Sequence, residues 1–213
     1  MSSVIEHLQS FNRKERFYLI SMALGNSTFK LSLDFCKKIN KEFSLQLPEH
    51  CFVAMDYHLD WLYAGLVLST HTGELKPFAN ASKDEISGTQ QDIDLIVAYE
   101  DEKLNTHIIL LEAKGATSFS NAQMRSKAER LTAIFGEEEG RRWPNVIPHF
   151  ALASPRRPSQ LLFDSWPRWM ANGQQLRWIQ MDLPVGLKSV ERCDPHGKAS
   201  RLGTHWHIKK YLK

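Results

Sequence analysis

Glu112 and Lys114 close the apolar run that begins at His107. On a strand, residues two apart point to one face. Packing alone would not choose an acid and a lysine there, because burying either group is costly unless it is paired or bound to a metal. A second apolar run, from Leu95 to Tyr99, is preceded by Asp92 and Asp94. A hairpin turn centred near Lys103 would set Asp94 opposite Glu112 and Asp92 opposite Lys114. Opposed side chains have Cβ atoms roughly 4.5–5.5 Å apart. Two carboxylates that close repel each other and raise one pKa. A hard divalent cation such as Mg²⁺ relieves that repulsion and prefers carboxylate oxygen. A slip of one residue would send one strand's set to the other face, so the register is a firm commitment. The ordinary alternative is an edge-strand ion pair, since Glu-x-Lys is common on exposed strands.

The elements that must hold these groups read as α/β. Strands are predicted over 92–99 and 107–114, joined by the charged turn Glu100 to Asn105 and stopped by Gly115. A helix over 120–135 follows, with Gly136 as its stop. Gln123, Lys127 and Arg130 share one face of it, opposite Met124, Ala128, Leu131 and Phe135. Val146 to Ser154 reads as a strand, weakened at its start by Pro148. Upstream, 3–24 reads as one helix capped by Ser2 or Ser3 and stopped by Gly25. Its apolar stripe is Leu8, Phe11, Tyr18 and Met22, with Glu15 set among them. A second helix spans 31–43. Residues 50–70 favour helix over strand, and 80–91 form a polar loop. Downstream, 159–171 reads as helical up to or around Pro167, and 176–181 and 204–211 as strands.

Asp94, then Glu112-Ala-Lys114 after a hairpin, then a helix, resembles the PD-(D/E)XK, or restriction-endonuclease-like, nuclease superfamily over residues 3–154. The resemblance implies a mixed central β-sheet flanked by α-helices. It also implies Mg²⁺, for which Mn²⁺ can substitute, held by Asp94 and Glu112, with Lys114 positioning or activating the attacking water. A proline often precedes the family's aspartate. Here Gln91 precedes Asp92 and Ile93 precedes Asp94, so the choice between the two aspartates as main metal ligand stays open, with Asp94 favoured because the apolar strand starts directly after it. By the same resemblance Glu15 is the extra acid on the first helix, and Gln123 or Lys127 sits near the phosphate. The implied function is phosphodiester hydrolysis, with DNA as partner and a homodimer as the form that cuts two strands. Against Gln123 stands its place in a capping box begun by Ser120. A lysine on a helix face is ordinarily solvated.

The chain has 213 residues, 42% hydrophobic and 24% charged, with a net charge of +3. This suits one globular domain, a nuclease-like core over 3–154 with an extension over 155–213. Three widely spaced cysteines suggest no disulfide framework and a reducing, cytoplasmic setting. No apolar stretch is long enough to span a bilayer, so no membrane partner is expected. Other clusters carry less. Cys193, His196, His205 and His207 have loose zinc-like spacing. Asp56, His58 and Asp60 do not share a face if helical. Trp166, Trp169 and Trp178 read as core before stacking platforms, and Arg141-Arg142 and Arg156-Arg157 as solvated loops before phosphate contacts. The rival function is a non-catalytic DNA-binding or interaction protein that keeps the nuclease fold. A third reading is another metal-dependent hydrolase.

Overall fold

The computed structural model describes residues 3–11, 15–26, 29–80, 85–88, 91–137, 142–173 and 175–210. In chain order these form α1 (Val4–Ser10), α2 (Glu15–Ala23), α3 (Leu33–Phe43), β1 (Phe52–His58), α4 (Leu59–Thr70), β2 (Asp92–Glu100), β3 (Thr106–Ala113), α5 (Asn121–Phe135) and β4 (Val146–Ser154). A 3₁₀ turn (Arg168–Met170), β5 (Ala171–Asn172), β6 (Gln175–Leu176), β7 (Trp178–Gln180), β8 (Lys188–Cys193) and β9 (His205–Lys210) complete the described chain. Ser2, Arg13, Lys14, Arg141 and Tyr211 lie outside the described residues, as does much of the 80–91 loop.

Five strands make one mixed sheet in the order β1-β2-β3-β4-β7. The first three pair antiparallel, while β3–β4 and β4–β7 pair parallel. Helices flank both faces, so the class is mixed α/β. One face packs Ile96, Ala98, Ile108 and Leu110 against α1, α4 and α5. The other packs Val97, Ile109 and Leu111 against Ile39 and Phe43 of α3. No described helix is long and apolar enough to cross a membrane.

The expected hairpin is present, with Leu95 opposite Leu111 and Glu100 opposite Thr106, centred on Lys103. The bounds 120–135 and 146–154 also hold closely. Ser120 caps α5, Gly136 ends it with a φ of 88°, and Pro148 is tolerated because β7 pairs only with Leu152 to Ser154.

Four expectations need correction. The first helix is two: Ser3 and Glu6 form a capping box for α1, and Phe11 ends it in extended backbone. Of its proposed stripe only Leu8 is fully buried, and Tyr18 and Met22 are exposed. Residues 50–70 divide into strand β1 and helix α4 at His58. Residues 159–167 are not helical, and Pro167 caps only the short 3₁₀ turn. The run over 176–181 splits between β6 and β7, and β9 pairs with β8, which was not foreseen.

The β1–β2 ladder is interrupted where Asp56 would meet Asp94. Asp56 has a φ of 45°, a left-handed conformation that Asp tolerates better than most residues. The alternation shifts there. Tyr57 and Ile93, odd-numbered, join the cluster that otherwise takes Phe52, Ala54, Ile96 and Ala98. A local break of this kind re-aims side chains, and here it lies at the aspartates.

Candidate active site

The break in β1–β2 and the C-terminal end of β3 open onto one cavity of about 400 Å³, lined by Gln91, Asp92, Asp94, Glu112, Lys114, Gln123, Ser126 and Lys127. Strand β3 delivers Glu112 and Lys114 to it, and strand β2 delivers both aspartates. Helix α5 delivers Gln123 and Lys127, one turn apart. Asp92, Asp94, Glu112, Lys114 and Gln123 are thus brought together. Glu15 is not among the lining residues and is exposed in the first turn of α2.

Asp94 does not form the regular cross-strand pair expected with Glu112, because the ladder ends at Leu95 and Leu111. Its Oδ2 instead accepts a hydrogen bond from the Ala113 N–H at 2.6 Å. The side chain thereby takes over the acceptor role of the strand backbone, which holds its carboxylate beside the Glu-x-Lys segment. Asp92 differs: its backbone oxygen accepts from Lys127 Nζ at 2.5 Å, and its carboxylate lies 4.0 Å from His58 Nε2.

Glu112 is only 2% exposed. Its Oε2 is ion-paired with the Lys127 ammonium, and its Oε1 accepts from Gln123 Nε2 at 3.3 Å. Burial pushes the Glu112 carboxyl up; Lys127 draws it back, the Asp94 charge adds to the rise, and Lys114 opposes it. The net direction is upward, so this is a carboxylate whose charge calls for cations. Lys114 is half-buried at the same cavity.

Gln123 completes only one half of its capping box. Its N–H donates to Ser120 Oγ, while its side chain goes to Glu112. Lys127 and Arg130 are not solvated. Both are 5% exposed, and Arg130 pairs with Asp60 and donates to the Glu85 carbonyl at 2.6 Å. Asp60 also accepts from the N–H groups of Ser87 and Gly88, so its role is to fix the loop beside α5. The depth of Lys127 was the main feature missed from sequence. Its signal was position: three residues after Met124 and four before Leu131, it borders the apolar stripe of α5 rather than lying opposite it.

Among the described residues, no three His, Cys, Asp or Glu side chains converge as a metal cluster, which removes the zinc grouping of Cys193, His196, His205 and His207. Trp166 and Trp169 are buried in the core, and Trp178 packs against it. Arg142 pairs with Glu85, and Arg157 donates to the Leu176 carbonyl at 3.1 Å. A larger hollow of about 570 Å³, bordered by Phe163, Asp164 and Arg168, holds no paired carboxylates.

A second polar cluster sits at the hairpin end of the sheet. His107 Nδ1 lies 3.0 Å from His149 Nε2, and His107 Nε2 lies 3.3 Å from Asp101 Oδ2. Burial, with help from His107 and Arg177, pushes the His149 pKa down to about 3. Hydrogen bonds from Asn105 hold the Asp101 carboxyl well below its usual range.

Comparison with known proteins finds no match to the chain among protein-family models, curated proteins or solved structures.

Proposed function

We propose that the protein is a metal-dependent nuclease with a restriction-endonuclease-like core. The observation that carries this is one cavity holding Asp94 and Glu112 on neighbouring strands, Lys114 two residues after Glu112, and Gln123 on the next helix. The donor set fits Mg²⁺. That ion is commonly held by one or two carboxylates, with water and substrate phosphate filling its shell, so no third acidic side chain is required. Asp94 and Glu112 would hold it. Asp92 is the weaker candidate, because its carboxylate is turned towards His58.

When bound, the ion supplies a bound water of lowered pKa and neutralises charge on the phosphate. The chain's own residues do the rest. Gln123 and Lys127 fix the Glu112 carboxylate in one orientation and favour its charged form. The Ala113 N–H does the same for Asp94. Lys114 brings a positive charge to the place where phosphoryl charge develops, and it orients the attacking water. The partner in this reading is DNA, with a homodimer for double-strand cutting and a cytoplasmic setting.

The rival is a binding protein that keeps the fold without catalysis. Mn²⁺ titration separates the two. We expect binding by the wild type that is lost in Asp94→Asn, together with metal-dependent cleavage of a DNA substrate. A wild-type chain that neither binds Mn²⁺ nor cuts DNA would favour the rival.

A further inference from the structure

Strands β8 and β9 form a two-stranded antiparallel ribbon apart from the central sheet, pairing Lys188 with Lys210, Val190 with Ile208 and Arg192 with Trp206. The register is unbroken, so alternation puts these six side chains on one face. All six are exposed, Trp206 at 67%. That face carries three cations and no acid. The ribbon's acid, Glu191, is on the opposite face, where it pairs with Lys209 and lies 3.9 Å from His207 Nε2. Such a face is neither a core face nor a charge-balanced solvated one.

We propose that this ribbon face binds the polynucleotide substrate, with Lys188, Arg192 and Lys210 on phosphates and a base stacked on Trp206. The proposal names the substrate surface of the nuclease and rests on that reading. Three observations select a nucleic acid strand. The unopposed positive charge is complementary to phosphates, which are typically met by Arg and Lys. An exposed indole paired across the ribbon with Arg192 supplies the stacking platform used for unpaired bases. The cations at the two ends of the face are four residues apart, about 14 Å at 3.4 Å per residue, which matches about four nucleotide steps at 3.4 Å each.

The ribbon also leaves the sheet at the proposed active end. Met181 N–H donates to the Ser154 carbonyl at the end of β4. Leu183 lies against Gly115, where an added Cβ would come within 3.2 Å of Leu183 Cδ2. The chain therefore enters the ribbon from beside Gly115, the residue next to Lys114.

The test is fluorescence anisotropy of a labelled single-stranded oligonucleotide with the full chain in EDTA, so that cleavage does not intervene. We expect Trp206→Ala to weaken binding about tenfold. Lys188→Ser/Arg192→Ser/Lys210→Ser should weaken it at least as much and reduce the slope of log affinity against log salt by about 2. Lys103→Ser, which removes an exposed cation in the hairpin turn, should bind like the wild type. Duplex of the same sequence, with its bases paired, is expected to be less sensitive to Trp206→Ala. Ribbon variants that bind as the wild type does would overturn the proposal, as would a ribbon that serves anionic phosphatidylserine vesicles but not the oligonucleotide. Failure of the nuclease reading is seen separately: binding that depends on the ribbon, with no cleavage on adding Mg²⁺, leaves the surface standing and removes the enzyme.

Discussion

Replacing Lys127 with methionine removes the ammonium and keeps most of the length of the side chain. Glu112, 2% exposed, then has a buried charge facing Asp94 with only the Gln123 hydrogen bond and the Lys114 charge to answer it. Breaking a buried pair by removing one partner costs about 3–5 kcal/mol. For a chain of this size that corresponds to roughly 6–20 °C in Tm. Glu112 can escape by taking up a proton, at about 1.4 kcal/mol for each pH unit by which its pKa lies below the working pH. The penalty therefore has a sign in pH. Folded Lys127→Met holds Glu112 above its unfolded pKa, so between the two values the native state binds the extra proton and stability falls as pH rises. We expect the deficit against wild type, measured by urea unfolding, to be larger at pH 8 than at pH 5. Adding Glu112→Met should recover most of it, since a buried pair replaced by apolar groups is often neutral. A deficit under about 1 kcal/mol, the value of a surface pair, or one equal at both pH values, would refute the reasoning.

Gln123→Ala frees one Glu112 oxygen and should lower Mn²⁺ affinity about 10- to 100-fold while leaving the fold intact, which calorimetric titration reads directly. With its pKa pushed down to about 3 in the fold, His149 binds a proton more readily when unfolded, so stability falls as pH drops from about 6.5 towards 3. His149→Phe should flatten that loss in an acid titration of Tm, and an unchanged slope would count against the buried histidine pair. At Gly203 a Cβ would come within 2.1 Å of the Cys193 carbonyl oxygen, so Gly203→Ala should open the ribbon loop to proteolysis near Asp194 while the central sheet stays protected.

The hairpin was legible because its turn is charged, its strands are apolar, and only one register buries both sets. Helix α5 was legible from Ser120 and Gly136. What sequence could not give was where chain direction overrides pattern. Phe52 to Thr70 is apolar almost throughout, and the switch from strand to helix at His58 has no glycine or proline to mark it. The positive φ at Asp56 follows from tertiary pairing, so the shift that re-aims Asp92 and Asp94 left no trace. Strand β8 has few apolar residues because its outward face meets solvent. Lys127 was readable in principle, as a cation bordering an apolar stripe, but its partner lies fifteen residues away on another element.

Nicking of supercoiled plasmid with Mg²⁺, by wild type and by Lys114→Ala, tests the central claim most directly. Lys114 lines the cavity without taking part in the buried Glu112–Lys127 pair, so its loss should spare the fold. We expect nicking by the wild type that EDTA abolishes and that Lys114→Ala loses by at least about 100-fold. Cleavage by Lys114→Ala at the wild-type rate would contradict the assignment of this cavity as a nuclease site.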